Sequence, residues 1–317
     1  MMSTPRVVFF GTPLIAVPTL ERLHRDWGVY AVVTVPDTPQ GRGRKTQPSA
    51  VKQAALALGI EPILEPNSLR DPSFATMLEA LKPDVFCVFA FRILPRPLLT
   101  IPRLAFNVHP SLLPKFRGAA PIAHAIIAGE RETGVTTFVM TDRVDAGAIL
   151  LQERLEIPDG ITAGELAMLL APLCADIASR TIKLWIEGTL VSIPQRDEYA
   201  TPAPKLSSER AQIAWDRDAR SIRNFIHGHS PEPGAWSTLE NTRLKIYRVD
   251  IIEEKTPHSI AGQWYIEGEH WLVHCGHGTL GLMEMQLPGK RTMTAAELIR
   301  GWRGARAGTF TQLMLDT

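Results

Sequence analysis

Apolar and polar positions along the first two-thirds of the chain switch repeatedly between a strand-like and a helix-like period. Val7-Val8-Phe9-Phe10 is a short apolar run stopped by Gly11-Thr12-Pro13. A helical stretch follows through Leu20 and Leu23, with Pro18 tolerable only near its first turn, where a missing N–H costs nothing. Val29 to Val35 is β-branched and apolar, and a Pro/Gly-rich loop runs from Pro36 to Pro48. Ser49 can cap a second helix that Gly59 stops. Asp71-Pro72 opens a third, which ends before Pro83. Asp84 to Ala90 is nearly all apolar, the pattern of a parallel strand buried on both faces. This β-α-β-α order predicts an α/β fold with a Rossmann-like, doubly wound sheet, whose ligands lie beyond the carboxyl ends of its strands.

Further on, Ala119 to Ala128 reads as helix, and Thr136 to Met140 and Ala148 to Gln152 as strands. Thr162-x-x-Glu165 is a capping box opening a long helix to Glu187, stopped by Gly188. The pattern then changes. Pro194 to Pro204 is polar and proline-containing, with few residues able to hold a core, and reads as an interdomain linker. Beyond it, Arg243 to Ile252, Gln263 to Glu267, Trp271 to Cys275 and Leu280 to Gln286 are short strands between polar turns, as in a small antiparallel β-barrel of OB-like type. A second capping box, Thr294-x-x-Glu297, starts a terminal helix. The expected division is a catalytic domain over 1–193, a linker over 194–206 and a small barrel over 207–317.

At 317 residues with 45% hydrophobic and 21% charged content, the chain can bury the cores of two domains. A net charge of +1 gives no sign of nucleic-acid binding, so such a protein would have to concentrate its positive residues locally. Two clusters do so. Gly41-Arg42-Gly43-Arg44-Lys45 interleaves basic residues with glycine, and Gly289 to Gly308 holds Lys290, Arg291, Arg300, Arg303 and Arg306 against the single acid Glu297. Arg300 and Arg303, three apart, are expected to share a face of the terminal helix. Lys205, in the linker, could add to a basic path.

The three cysteines form no C-x-x-C pair, and Cys87 and Cys174 sit in apolar runs, so they read as small core residues in a reducing compartment. Neither His227/His229 nor His274/His277 has a third ligand at recognisable spacing, so no metal is expected. The N-terminus leads directly into an apolar strand, and no apolar run approaches the roughly 18–20 residues that span a bilayer. The expectation is a cytoplasmic protein with no membrane segment and no obligate protein partner.

The most informative stretch is Asn107-Val108-His109-Pro110-Ser111-Leu112-Leu113-Pro114-Lys115-Phe116-Arg117-Gly118-Ala119-Ala120-Pro121. It begins at the end of an expected strand, where Asn107 and His109, two apart, point to the same face. An amide beside an imidazole can donate to one oxygen. Taken alone, the pair reads first as residues satisfying local backbone groups, and Asp145, ahead of Gly147, as a simple turn aspartate. Together, amide, imidazole and carboxylate form a chemically coherent set.

This stretch resembles the signature of the folate-dependent formyltransferases: N-x-H, then Ser-Leu-Leu-Pro, then a later aspartate. The resemblance to their methionyl-tRNA branch extends along the chain through Phe9 to Pro13, the loop from Pro36 to Lys52, Pro102-Arg103-Leu104, Glu132 to Val135, and Gly289-Lys290-Arg291. It implies transfer of a formyl group from 10-formyltetrahydrofolate to the α-amino group of initiator methionyl-tRNA. By that resemblance Asn107 and His109 polarise the formyl oxygen, with His109 held as imidazolium by Asp145, and Asp145 takes the amine proton through an ordered water. Ser111, Leu112, Leu113 and Pro114 correspond to the folate-contacting tetrapeptide, which the residues alone read as a rigid turn. Arg42, Arg44, Lys45, Lys205, Lys290, Arg291 and Arg303 are then the candidate tRNA contacts.

Some positions depart from the family's pattern. Ala148 stands where relatives carry an acid, Ala123-His124 where they place amides or arginine, Phe91-Arg92 in a shortened segment, and Thr38-Pro39-Gln40 in the basic loop. A formyltransferase for sugar-nucleotides or a purine precursor would share the trio without needing the basic clusters, and a catalytically silent tRNA-binding module would not need the trio. Phe10 to Ile15 lacks the G-x-G-x-x-G fingerprint of a nicotinamide dehydrogenase.

Overall fold

The computed structural model describes residues 4–40, 45–254 and 260–310. Contacts divide the chain into two compact units: Met1–Pro121 with Glu132–Glu156 and Ala167–Ala203, and Ile122–Arg131 with Ile157–Leu166 and Pro204–Thr317.

The chain opens with β1 (Val7–Gly11), α1 (Val17–Trp27), β2 (Val29–Val33), the short pair β3 (Thr38–Gln40) and β4 (Lys45–Gln47), α2 (Ala50–Ala57), β5 (Ile63–Leu64), α3 (Pro72–Ala80), β6 (Val85–Phe89), α4 (Arg96–Leu99) and β7 (Leu104–His109). It continues with α5 (Pro121–Ile127), β8 (Glu132–Val139), β9 (Ile149–Glu156) and α6 (Ala163–Ile186). The helix starts follow the expected chemistry. Ser49 Oγ accepts from the Lys52 amide at 3.0 Å and Asp71 Oδ1 from the Ser73 amide at 2.9 Å, each cap contributing about 1 kcal/mol. Gly59, just past α2, has φ +68°, the left-handed turn that glycine takes without a Cβ clash.

The first unit's sheet runs β5-β2-β1-β6-β7-β8-β9. From β5 to β7 all neighbours are parallel, whereas β8 and β9 close the edge antiparallel. The expected doubly wound sheet is present. β1 and β6, apolar throughout, are its central strands and are buried at every residue. Strand order reverses between β1 and β6, the switch point at which such sheets open a crevice beyond their carboxyl ends.

The second unit contains α7 (Ala219–Gly228), β10 (Ala235–Leu239), β11 (Thr242–Glu253), β12 (Gln263–Glu267), β13 (His270–His274), β14 (Thr279–Gln286), β15 (Met293–Thr294), α8 (Ala295–Gly301) and β16 (Ala307–Thr309). Its antiparallel sheet runs β10-β11-β14-β13-β12-β16, with β15 on β14. Among the described residues no pairing joins β10 to β16, so the expected small barrel is a curled half-barrel. Its core is aromatic: Trp215 stacks on Phe310 at 5.2 Å, and Trp264 lies 5.2 Å from Trp271. The α7 helix buries Ala219, Ile222, Arg223, Ile226 and His227, a helical stripe interrupted by two polar residues, which hides it from an apolar pattern. Each polar residue has a partner: Arg223 donates to Asp159 at 3.0 Å, and His227 Nε2 accepts from the Val249 amide at 3.2 Å. Both expected capping boxes form, at Thr162/Glu165 and Thr294/Glu297.

Candidate active site

At the carboxyl end of β7, pairing with β8 sets Asn107 opposite Phe138, Val108 opposite Thr137 and His109 opposite Thr136. The unbroken register puts the Asn107 and His109 side chains on one face, as their spacing requires. Asn107 is half-buried, and among the described residues its amide has no hydrogen-bond partner. His109 is 4% exposed, with its ring edge-on to Phe138 at 6.4 Å.

The chain leaving β7 folds back as a tight turn fastened to β8 and β9. Ser111 is fully buried and donates through Oγ to the Lys115 carbonyl at 2.7 Å. The Thr136 hydroxyl donates to the Ser111 carbonyl at 2.6 Å and accepts from the Leu113 amide at 3.1 Å. Gln152 Nε2 donates to the Leu113 carbonyl at 2.8 Å. Gly134 leaves the space that this packing needs, since a Cβ there would lie 2.7 Å from Leu112 Cδ2 and 2.0 Å from the Glu153 carbonyl oxygen. Ser111-Leu112-Leu113-Pro114 is therefore a rigid turn, as its composition suggested. Leu112 and Pro114 keep part of their surface exposed.

Asp145 lies in the β8–β9 connection at φ +51°, a region uncommon for residues with a Cβ, though aspartate is among those that adopt it in turns. Its side chain is 15% exposed, and Oδ2 stands 3.8 Å from His109 Nδ1. The same oxygen accepts from the Gly118 amide at 2.8 Å. His109 Nε2 donates to the Phe116 carbonyl at 2.8 Å. Thus the 116–118 segment holds both members of the pair, one by a carbonyl and one by an N–H.

Burial lowers the His109 pKa from its ordinary value, against the opposing pulls of the Asp145 carboxylate and the Phe116 carbonyl. This corrects the expectation of a resting imidazolium. The imidazole is neutral near pH 7, its proton sits on Nε2 facing Phe116, and Nδ1 presents a lone pair towards Asp145.

The sequence pattern did not single out Gln195 or Asp197. Gln195 Nε2 donates to the carbonyls of Asp145 and Gly147 at 2.9 and 2.8 Å. Its Oε1 accepts from Arg117 Nε and Nη2 at 3.1 and 2.7 Å. Arg117 Nη2 also reaches Asp197 at 2.8 Å, and Arg143 meets the other Asp197 oxygen at 2.8 Å. The backbone of Arg117 pairs with Thr201 and Ala203 at 2.8 and 2.7 Å. Residues 195–203, within the stretch expected to be only a linker, thus bind the signature loop directly.

The basic candidates differ from one another in charge environment. Lys205, Lys290 and Arg303 are exposed, and among the described residues none of them is in an ion pair. Arg291 donates to Glu297 at 2.8 Å, and this hydrogen bond holds the Glu297 pKa down at about 2, so much of the Arg291 charge is offset. The α8 helix ends at Gly301 and the chain turns extended at Trp302, which corrects the placing of Arg303 on a helix face with Arg300. Arg42 and Arg44 lie outside the described residues. Lys45 is placed by its backbone in β4, its side chain lying outside the description. Among the described residues no three His, Cys, Asp or Glu side chains group as a metal site, and no helix is long and apolar enough to cross a membrane.

The Formyl transferase sequence family matches residues 5–177, and its C-terminal domain family matches residues 205–303. A methionyl-tRNA formyltransferase of Porphyromonas gingivalis is 42% identical over 309 residues, 94% of this chain and 95% of that one. The same enzyme of Pelotomaculum thermopropionicum is 44% identical over 300 residues, 93% and 95% of the two chains. The chain belongs to the methionyl-tRNA formyltransferase family. Solved structures share the fold at lower identity. WlaRD, a sugar 3N-formyl transferase, gives a TM-score of 0.67 at 18% identity over 91% of this chain and all of that one. HypX from Aquifex aeolicus, in complex with tetrahydrofolic acid, gives 0.64 at 15% identity over 98% of this chain and 51% of its own.

Family membership makes the chain a formyltransferase enzyme and locates the departures. His124 Nε2 donates to the Pro204 carbonyl at 3.0 Å, and the carbonyl of Ala148 accepts from the Val139 amide at 2.9 Å. Arg92 donates to the carbonyls of Pro66 and Asn67 at 2.8 and 3.2 Å, and burial lowers its pKa. None of these three replaces a member of the trio.

Proposed function

We propose that the chain transfers the formyl group of 10-formyltetrahydrofolate to the α-amino group of methionine on initiator methionyl-tRNA, in the cytoplasm. Catalysis is assigned to residues 1–193 together with the 195–203 stretch that binds the signature loop, and tRNA contact in part to 207–317. The observation that carries the reading is an uncommitted amide, Asn107, on the same strand face as a buried imidazole–carboxylate pair with 3.8 Å between His109 Nδ1 and Asp145 Oδ2.

The chemistry needs these groups. When the amine attacks the formyl carbon, the carbonyl oxygen gains negative charge, and a donor fixed in advance lowers the barrier by about 2.7–4 kcal/mol at comparable sites. Asn107 supplies that donor. His109, whose Nε2–H is engaged by Phe116 and whose Nδ1 faces Asp145, works with Asp145 as the proton relay, and joins Asn107 at the oxyanion only if its ring turns. The attacking nitrogen gains positive charge as its bond to carbon forms, and Asp145 stabilises it and accepts its proton. The proton then reaches the folate nitrogen as the old carbon–nitrogen bond breaks. The donor set fits a folate formyl donor in kind: an N–H for the formyl oxygen and a relay for one proton. Ser111 to Pro114 form the wall against which the folate lies.

Lys205, Lys290, Arg291 and Arg303 on the second unit, with Arg42, Arg44 and Lys45 on the first, are the proposed phosphate contacts. Glycine between the basic residues of the 41–45 segment permits close backbone approach. The sugar-nucleotide alternative shares the fold at 18% identity, whereas the methionyl-tRNA relatives match at 42–44% over nearly the whole chain. The test is formyl transfer with 10-formyltetrahydrofolate to methionyl initiator tRNA, to methionyl elongator tRNA and to an amino-sugar nucleotide. Turnover confined to the initiator species is expected, and transfer to the amino-sugar alone would refute the assignment.

A further inference from the structure

Gln195 stands far along the chain from the signature, yet its side chain closes a ring around the turn that presents Asp145. One amide group donates to the carbonyls on either side of Ala146, at Asp145 and Gly147, at 2.9 and 2.8 Å. Its oxygen accepts two N–H groups of Arg117, at 3.1 and 2.7 Å. Beside Arg117, the Gly118 amide donates to Asp145 Oδ2 at 2.8 Å. The ring therefore runs from the Asp145 carbonyl through Gln195 and Arg117 to the Asp145 carboxylate.

The orientation of the amide is fixed by its partners. A guanidinium only donates, so the side-chain oxygen must face Arg117 and the NH2 must face the two carbonyls. Both N–H groups and both oxygen lone pairs are then used. No other uncharged side chain of this length offers two donors and two acceptors in one plane. The two bonds fix the backbone on both sides of Ala146 in the turn where Asp145 sits at φ +51°. Asp197 and the backbone of Thr201 and Ala203 secure Arg117 in turn.

We infer that Gln195 is a positioning residue for the reaction, aiming the Asp145 carboxylate through its backbone carbonyl and through the Arg117–Gly118 segment. The inference rests on the formyl-transfer function proposed above. The hydrogen bonds of Gln195 go to Arg117 and to the Asp145 and Gly147 carbonyls, and among the described residues none goes to the side chains of Asn107, His109 or Asp145. Its effect is on where Asp145 points, and hence on proton transfer in the bound complex rather than on binding.

The experiment uses the full chain and two variants. Gln195→Met removes every hydrogen bond at similar size, and Gln195→Glu keeps an acceptor for Arg117 but has no donor for the two carbonyls. With initiator methionyl-tRNA and 10-formyltetrahydrofolate, both are expected to lose kcat by roughly 10–100-fold, the scale of a small misplacement of a catalytic group. KM for the tRNA stays within about twofold, the sign of an interaction felt in the transition state alone. The melting temperature stays within about 4 °C of wild type. The second readout needs no substrate: NMR titration of the His109 imidazole in Gln195→Met. Its pKa falls further below wild type, because the carboxylate that raises it has turned away.

If wild type forms no formyl-methionine, the function reading fails while the titration still decides the positioning. A His109 titration that superimposes on wild type, or an undiminished kcat in a folded variant, overturns the inference. Should Gln195→Met not fold, the glutamate variant carries the kinetic test.

Discussion

Acidification charges His227, a group that the second unit keeps neutral. This imidazole is 2% exposed, and burial, with the neighbouring cations Arg248 and Arg223, lowers its pKa from 6.5 to about 4, opposed by Asp250. Its Nε2 accepts the Val249 amide at 3.2 Å, a bond that a proton on the same nitrogen would break. In the unfolded chain the imidazole takes its proton near 6.5; in the folded one it takes it only near 4. Between those values the unfolded state binds more protons, so stability is complete above pH 6.5 and is lost as pH falls towards 4. The loss from this one group is about 2 kcal/mol at pH 5 and about 3 kcal/mol at pH 4. Urea unfolding of the full chain, followed by tryptophan fluorescence at pH 7, 5 and 4, measures it against His227→Gln. That variant offers an oxygen to the Val249 amide and does not titrate, so groups common to both proteins cancel. Parallel loss of stability in the two proteins would refute the reasoning.

Asp145→Asn is expected to lower kcat by about 10²–10⁴-fold with little change in fold, as for loss of a positioned acid/base; near-normal turnover would remove Asp145 from the chemistry. Asn107→Ala should cost about 10²–10³-fold in kcat and leave the affinity for tRNA unchanged in a filter-binding assay. Lys290→Ala combined with Arg303→Ala should flatten the plot of log K against log salt by about 1.4–1.8 units, roughly 0.7–0.9 per phosphate contact. Arg291→Ala, whose charge Glu297 already offsets, should change that slope less. Gly147→Ala puts a Cβ 1.7 Å from the Val139 carbonyl oxygen, so activity and melting temperature should fall together in paired assays.

The sequence pattern revealed those features whose cause is local. Fully apolar runs located β1 and β6, and Ser49, Asp71, Thr162 and Thr294 marked helix starts through side chains that reach their own backbone. The face shared by Asn107 and His109 followed from a period of two. What escaped depended on partners distant along the chain. Arg223 and His227 look too polar for a buried helix until Asp159 and the Val249 amide are placed beside them. Gln195 sits in a polar stretch that offers no periodicity, and its meaning comes from carbonyls about 50 residues earlier. The resting charge of His109 depends on the fold in the same way: an attractive carboxylate is visible in the chain, but burial of the ring is not.

The arrival of β8 and β9 as an antiparallel pair on a parallel sheet separates the two halves of the candidate chemistry. Asn107 and His109 belong to a strand locked on both sides by its neighbours. Asp145 belongs to the bend of a hairpin, outside the paired residues of either leg. The face of β7 is thus set by sheet register, whereas the aim of Asp145 is set by the groups that grip its bend, Gln195 on the Asp145 and Gly147 carbonyls and the Gly118 amide on its carboxylate.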